Sequence, residues 1–211
     1  MFRRGMAGLT MAGIMLFAIG IPAAMADTSG GNNVNLYFAY ANSGAGPISA
    51  GINVQLGTID GTKMAVMEAG TSTSQEIACK GKGKTGEIFT SVYGRSQTAV
   101  IKVDKKLGTA TASAKLTLTE NVYNSCTGKE TQRDLATATV TLDLHATTGM
   151  TTTKSHWETT YPDGSKEVFN GKFDSREAAG GFRIGATDYS ADSGQIEHDV
   201  STYVIVPPAH H

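Results

Sequence analysis

Beyond the first 26 residues, no stretch sustains a 3.6-residue apolar repeat over ten positions, so the sequence offers no amphipathic helix of ordinary globular length. Basic residues do not cluster: 18 Lys and Arg face 19 Asp and Glu in the 211-residue chain. That balance gives no electrostatic footprint for nucleic acid and too little for an anionic membrane surface. Aromatic residues make up only 7% of the chain. They are too few for the two girdles of a membrane-spanning β-barrel, and the chain ends in VPPAHH rather than on an aromatic. The G-x-S-x-G nucleophile elbow and the H-E-x-x-H metal helix are both missing. There are two cysteines but no Cys-x-x-Cys, and His145, His156 and His198 fall on separate predicted strands without H-x-H spacing. No zinc set is therefore spelled out, and no cofactor is implied.

The N-terminus is distinctive. MFRRGMAGLTMAGIMLFAIGIPAAMA places Arg3 and Arg4 before a mostly apolar run from Met6 to Ile21, then Pro22 and Ala24-Met25-Ala26. This is the layout of a bacterial export signal cleaved after Ala26, and the run is short for a membrane span of about 20 residues. Removing residues 1–26 leaves 211 − 26 = 185 residues with 18 − 2 = 16 basic and 19 acidic side chains, a net charge of −3. That length suits one domain with a sizeable core. The expected organisation is a cleaved signal at 1–26, a flexible leader at 27–33, one domain at 34–206 and a mobile tail at 207–211. The expected location is periplasmic or extracellular, with nothing left in the membrane after cleavage. In such an oxidising setting Cys79 and Cys126 are predicted to pair.

The remaining chain alternates with period two. VNLYFAY, GINVQLG, EIFTSVY, TAVIKVD, ASAKLTLTENVY, LATATVTLDLH and EHDVSTYVIV all read as strands. In LATATVTLDLH the set Ala138, Val140, Leu142, Leu144 alternates with Thr137, Thr139, Thr141 and Asp143. Threonine suits these runs because its branched Cβ is stiff and packs well on a pleated surface. NSGAGP, DGT, NSCTGK, TTG, YPDGS and ADSG lie between them as turn clusters. The predicted fold is all-β: a single antiparallel β-sandwich or a closed or partly closed barrel of about ten strands.

Several local patterns hint at chemistry. ACKGKGKTGE, residues 78–87, fits a permissive phosphate loop ending in Lys84-Thr85. A phosphate loop needs a helix after it to present amides and a dipole, whereas GEIFTSVY follows at strand spacing. The expectation is a Lys/Gly hairpin loop and no nucleotide. In KSHWETTYPDGSKEVFNGKFDSR, Pro162-Asp163-Gly164 predicts a hairpin with Tyr161 opposite Ser165 and Trp157 opposite Phe169. The face of Trp157, Phe169, Gly171 and Phe173 is expected to be core, with His156, Glu158 and Lys166 towards solvent. The functional alternative makes Trp157 and Tyr161 a ligand-binding platform, since Trp and Tyr often anchor binding surfaces. Asp188, Ser190 and Asp192 have part of the spacing of a calcium loop but lack its bidentate Glu; a plain hairpin turn is expected at ADSG. Glu158, Glu167 and Asp174 are the carboxylates that glycoside chemistry could use if two of them met.

Phe169, Gly171, Phe173, Arg176, Ala178 and Gly181, in FNGKFDSREAAGGFRI, form a pattern that resembles one found in exported β-rich bacterial proteins, over about residues 109–206. The resemblance implies an all-β fold and brings no activity with it. The favoured expectation for function is an exported, non-catalytic β domain that binds a glycan, a cell-surface partner or a small ligand. A polysaccharide hydrolase built on a carboxylate pair and a small outer-membrane barrel are the alternatives.

Overall fold

The computed structural model describes residues 32–44 and 48–208. The predicted export signal, the leader up to residue 31 and the last three residues lie outside the described residues. Eleven strands follow one another: β1 Asn32–Ser43, β2 Ile48–Ile59, β3 Thr62–Ala78, β4 Thr85–Ser96, β5 Val100–Val103, β6 Thr109–Asn124, β7 Lys129–Ala146, β8 Thr151–Thr160, β9 Lys166–Ile184, β10 Thr187–Ser190 and β11 Ser193–Val206. The fold is all-β, as the alternation predicts, with one strand more than the expected ten or so. β1 begins at Asn32 and pairs it with Tyr203, so the last two residues of the predicted leader belong to the sheet.

Every pairing is antiparallel, and eight strands (β1, β2, β3, β4, β6, β7, β9 and β11) close into a ring. The three remaining strands continue ring strands across an interruption. β4 and β5 both pair β6. β7 and β8 lie along one edge of β9, and β10 and β11 along its other edge. The chain is therefore a meander in which each long strand neighbours the next and the last returns to the first. TTG falls in the interruption between β7 and β8, where Glu177 N donates to Thr148 Oγ1 at 3.0 Å and Arg176 Nε donates to the Thr148 carbonyl at 2.7 Å. ADSG is likewise a break within a strand. The hairpin expected there is instead formed at Gly185, with φ 62°, between β9 and β10. Asp and Gly serve turns and bulges alike, because both need a residue that leaves the extended region.

Paired residues share a face, so the register identifies the inner side. Ala39, Val54 and Met67 form one row, and Ala41, Ile52 and Ala69 the next. Across the ring Ala110, Ala112, Leu142, Leu144, Phe182 and Ile196 join the same buried cluster. On β6 and β7 the alternate residues Thr111, Ser113, Lys115, Thr139 and Asp143 are exposed. The ring is thus filled with apolar side chains, mostly Ala, Val, Leu and Ile with Met67 and Phe182 among them, and presents a polar exterior on these strands.

The disulfide between Cys79 and Cys126 is formed, with Cα atoms 5.3 Å apart. It is compatible with an oxidising, exported location. Cys79 follows β3 and Cys126 follows β6, while β4 lies between those two strands in the sheet. The bridge therefore spans β4 above Gly86, where a Cβ would stand 2.6 Å from Cys126 Sγ and 2.8 Å from Cys79 Sγ.

Candidate functional site

β9 explains where a site can form. Its C-terminal half is apolar at even positions (Ala178, Phe182, Ile184), all buried in the core. Its N-terminal half is apolar at odd positions (Phe169, Phe173). Pairing against β11 runs without a register shift from Lys166 to Glu177, so parity is kept and the two halves turn their apolar residues to opposite faces. The N-terminal half, with β8 and the end of β11, therefore carries aromatic residues on the outer face and polar residues on the inner one.

The hairpin register agrees with expectation: Trp157 pairs Phe169, and Tyr161 N donates to the Ser165 carbonyl at 2.9 Å. The face assignment holds for its polar side, where His156, Glu158 and Lys166 are exposed, and fails for its aromatic side. Trp157 is 40% exposed and lies outside the core cluster, as do Phe169 and Phe173. Turn chemistry fixes who pairs with whom, while the inward face is set by the far half of β9. Trp157 stacks on Phe169 with ring centroids 5.6 Å apart and meets Tyr203, its neighbour two strands away, at 6.1 Å and a 60° tilt. Phe169 and Phe173 both lean over Gly171, whose missing side chain makes room for their rings. Tyr161, 41% exposed, closes the strip. The Glu167 carboxylate accepts hydrogen bonds from the Tyr203 and Tyr161 hydroxyls, which hold its carboxyl below the usual carboxylate range. The same bond, with burial, pushes Tyr203 up to about 12.

The opposite face of the same three strands is polar. Asp174 is buried; its Oδ1 accepts from Thr152 Oγ1 and its Oδ2 from Lys172 Nζ, each at 2.5 Å. Those bonds, that with Lys172 first, hold its pKa below the ordinary value. His198, directly across from Asp174, stacks on Tyr37 at 4.1 Å and shares a 2.8 Å hydrogen bond with Asn35 Oδ1. Burial depresses its basicity, and Asp174 partly restores it. Beyond this row a groove of about 440 Å³ is lined by Lys154, His156, Asn170, Lys172, Val200 and Thr202. Sequence reasoning places His156 towards solvent and passes over Lys154 and Lys172; the parity switch in β9 is the signal that marks this face.

The other anticipated groups stay apart. Glu158 is tied to Lys166 at 2.5 Å, Glu167 is on the opposite face, and Asp174 lies six positions from Val168, the partner of Glu158. At about 3.3 Å per residue that is roughly 20 Å, too far for paired carboxylate chemistry. Asp188 is held by Arg183 through two hydrogen bonds of 2.6 and 3.0 Å, Asp192 Oδ2 accepts from Gly44 N at 2.6 Å, and Ser190 is exposed at the end of β10. Both carboxylates of the candidate calcium trio are thus engaged elsewhere. Among the described residues no group of three or more His, Cys, Asp or Glu could hold a metal ion. Lys84 and Thr85 sit where a hairpin loop passes into β4, with Cys79 N donating to the Lys84 carbonyl at 2.9 Å, and a strand rather than a helix follows. No protein-family model, no curated protein and no solved structure matches this chain.

Proposed function

We propose that the protein is an exported, non-catalytic β module that binds a glycan on the strip formed by Trp157, Tyr161 and Tyr203. The observation that carries this reading is the exposure of Trp157 and Tyr161 on one continuous face, braced by Phe169 rather than buried in the core. Flat aromatic rings offer an apolar surface to the C–H faces of a sugar. Beside them, the Glu167 carboxylate and the two tyrosine hydroxyls, whose own protons are committed to Glu167, offer acceptors to the hydroxyls of a sugar. The N-terminal sequence pattern and the disulfide support export. The apolar filling of the ring and the polar outer positions on β6 and β7 favour water over lipid around it, opposite to the arrangement of a spanning barrel. The separation of Glu158, Glu167 and Asp174 favours binding over hydrolysis.

Trp157 is the single tryptophan, so its emission reports directly on the strip. Titration with soluble cello-, xylo- and chito-oligosaccharides is expected to shift that emission saturably for at least one of them. Tyr161→Ala should weaken the response about tenfold, near 1.4 kcal/mol. If no glycan moves the emission, or the Tyr161 variant responds unchanged, the strip is not a glycan platform.

A further inference from the structure

We propose that the groove on the opposite face is an anion site, in which Lys154 and Lys172 hold a single carboxylate or sulfate group of a small ligand. The two lysines are direct partners across the β8–β9 ladder. Like charges in that position repel and cost stability unless something neutralises them. Asp174 neutralises only one, through Lys172 Nζ at 2.5 Å. Lys154 has no ion pair among the described residues, and Glu158, the acid nearest along its strand face, is taken by Lys166.

The surrounding groups are those an anion needs. His156 Nδ1 lies 2.8 Å from Asn170 Oδ1. An amide oxygen only accepts, so Nδ1 donates and the Asn170 amide N–H groups stay free as donors. Thr202 adds a hydroxyl. Val200, 41% exposed between these polar groups, gives the floor an apolar patch for the body of the ligand. The volume of about 440 Å³ suits a small molecule. One uncompensated positive charge matches a monoanion, which favours a carboxylate or sulfate ester over a dianionic phosphate. The site stands independently of the aromatic strip, since the two lie on opposite faces of β8 and β9.

The test is calorimetric titration of the full chain with sodium methyl sulfate (a monoanionic sulfate ester), with oligogalacturonate and with a neutral galactose oligomer. Each is run at about 0.02 M and about 0.2 M salt, across which electrostatic binding weakens. Saturable binding of methyl sulfate marks a small free monoanion as sufficient, and binding of oligogalacturonate alone marks an acidic sugar; either supports the site. Lys154→Ala should weaken binding about tenfold or more, while Lys129→Ala, at the start of β7 and remote from the groove, should not. Asp174→Asn frees Lys172 from its partner and should tighten binding severalfold. Saturation by none of the probes, tighter binding of the neutral oligomer than of the anions, or equal affinities for the Lys154 and Lys129 variants would overturn the proposal.

Discussion

Gly86 shows how one residue can be decided by its neighbours. β4 runs beneath a covalent bridge that joins the strands on either side of it, and a side chain at this position would collide with both sulfurs and with Ser125 Oγ at 2.7 Å. Gly86→Ala is therefore expected to cost about 1–3 kcal/mol, the usual range for overpacking. The cost should shrink in a Cys79→Ser, Cys126→Ser background, where the bridge can no longer press on β4. Urea denaturation of the four variants forms a double-mutant cycle, and equal costs in both backgrounds would remove the bridge as the cause. A sequence reader sees only a glycine after a lysine-rich turn, with nothing to say that a disulfide lies over it. The pairing of Cys79 and Cys126 is legible because compartment and number constrain it. The clash is not, because it depends on which strand lies between them.

At the scale of the element, β9 holds both the core and the candidate site. Phe182 and Phe169 are the same side chain on one unbroken strand, yet Phe182 is 4% exposed in the core and Phe169 is only half-buried, at a position of opposite parity. Phe182→Ala should cost about 3–5 kcal/mol, as aromatic truncations in cores do, and Trp157→Ala about 1–2 kcal/mol. Trp157 emission in the free protein should lie towards the red and be quenched by iodide. A blue, protected emission with a large Trp157→Ala cost would place that face in the core after all. Strands with clean alternation, such as β6 and β7, are readable directly. β3 is not, because Val66 and Met67 are adjacent and both buried, on opposite faces, which erases period two. The candidate site is half legible. Turn chemistry yields the partners of Trp157, but the inversion of apolar parity along β9 shows its meaning only once the strand is known to be unbroken.

For the whole molecule, opposing carboxyl groups set the response to acid. Glu197 has its pKa raised by burial and then by Asp199, and Asp199 by its own burial. Asp199 Oδ1 is buried without a hydrogen-bond partner. A raised folded pKa favours the fold when the group is protonated, so these two erode stability as pH rises from their unfolded values through their folded ones. Asp174 works the other way: its pKa is lowered by Lys172 and Thr152, so its stabilisation is present above its unfolded value of about 3.8 and lost as pH falls through the folded one. Glu197 and Asp199 therefore add stability as pH falls from neutrality, His198 opposes them below its unfolded value of 6.5 because its depressed pKa makes protonation favour the unfolded chain, and the melting temperature should decline below about 4. The Glu197 contribution is read as the melting temperature of the unmodified chain minus that of Glu197→Gln, which should grow as pH falls from neutrality. A difference that stays constant or shrinks would contradict this assignment.

Nearly all strand partners in this fold are close neighbours along the chain, so most of the sheet can zip up hairpin by hairpin soon after each turn is made. The seam between β1 and β11 is the exception, since it joins Asn32 to Tyr203 across almost the entire described length. Synthesis supplies β1 first and β11 last. Until the final strand arrives, β1 has a bare edge facing solvent, with hydrogen-bonding groups available to any other extended chain. The interval between the first strand and the last is thus the window in which this protein is open to misassociation, and a truncation that removes β11 would hold that window open.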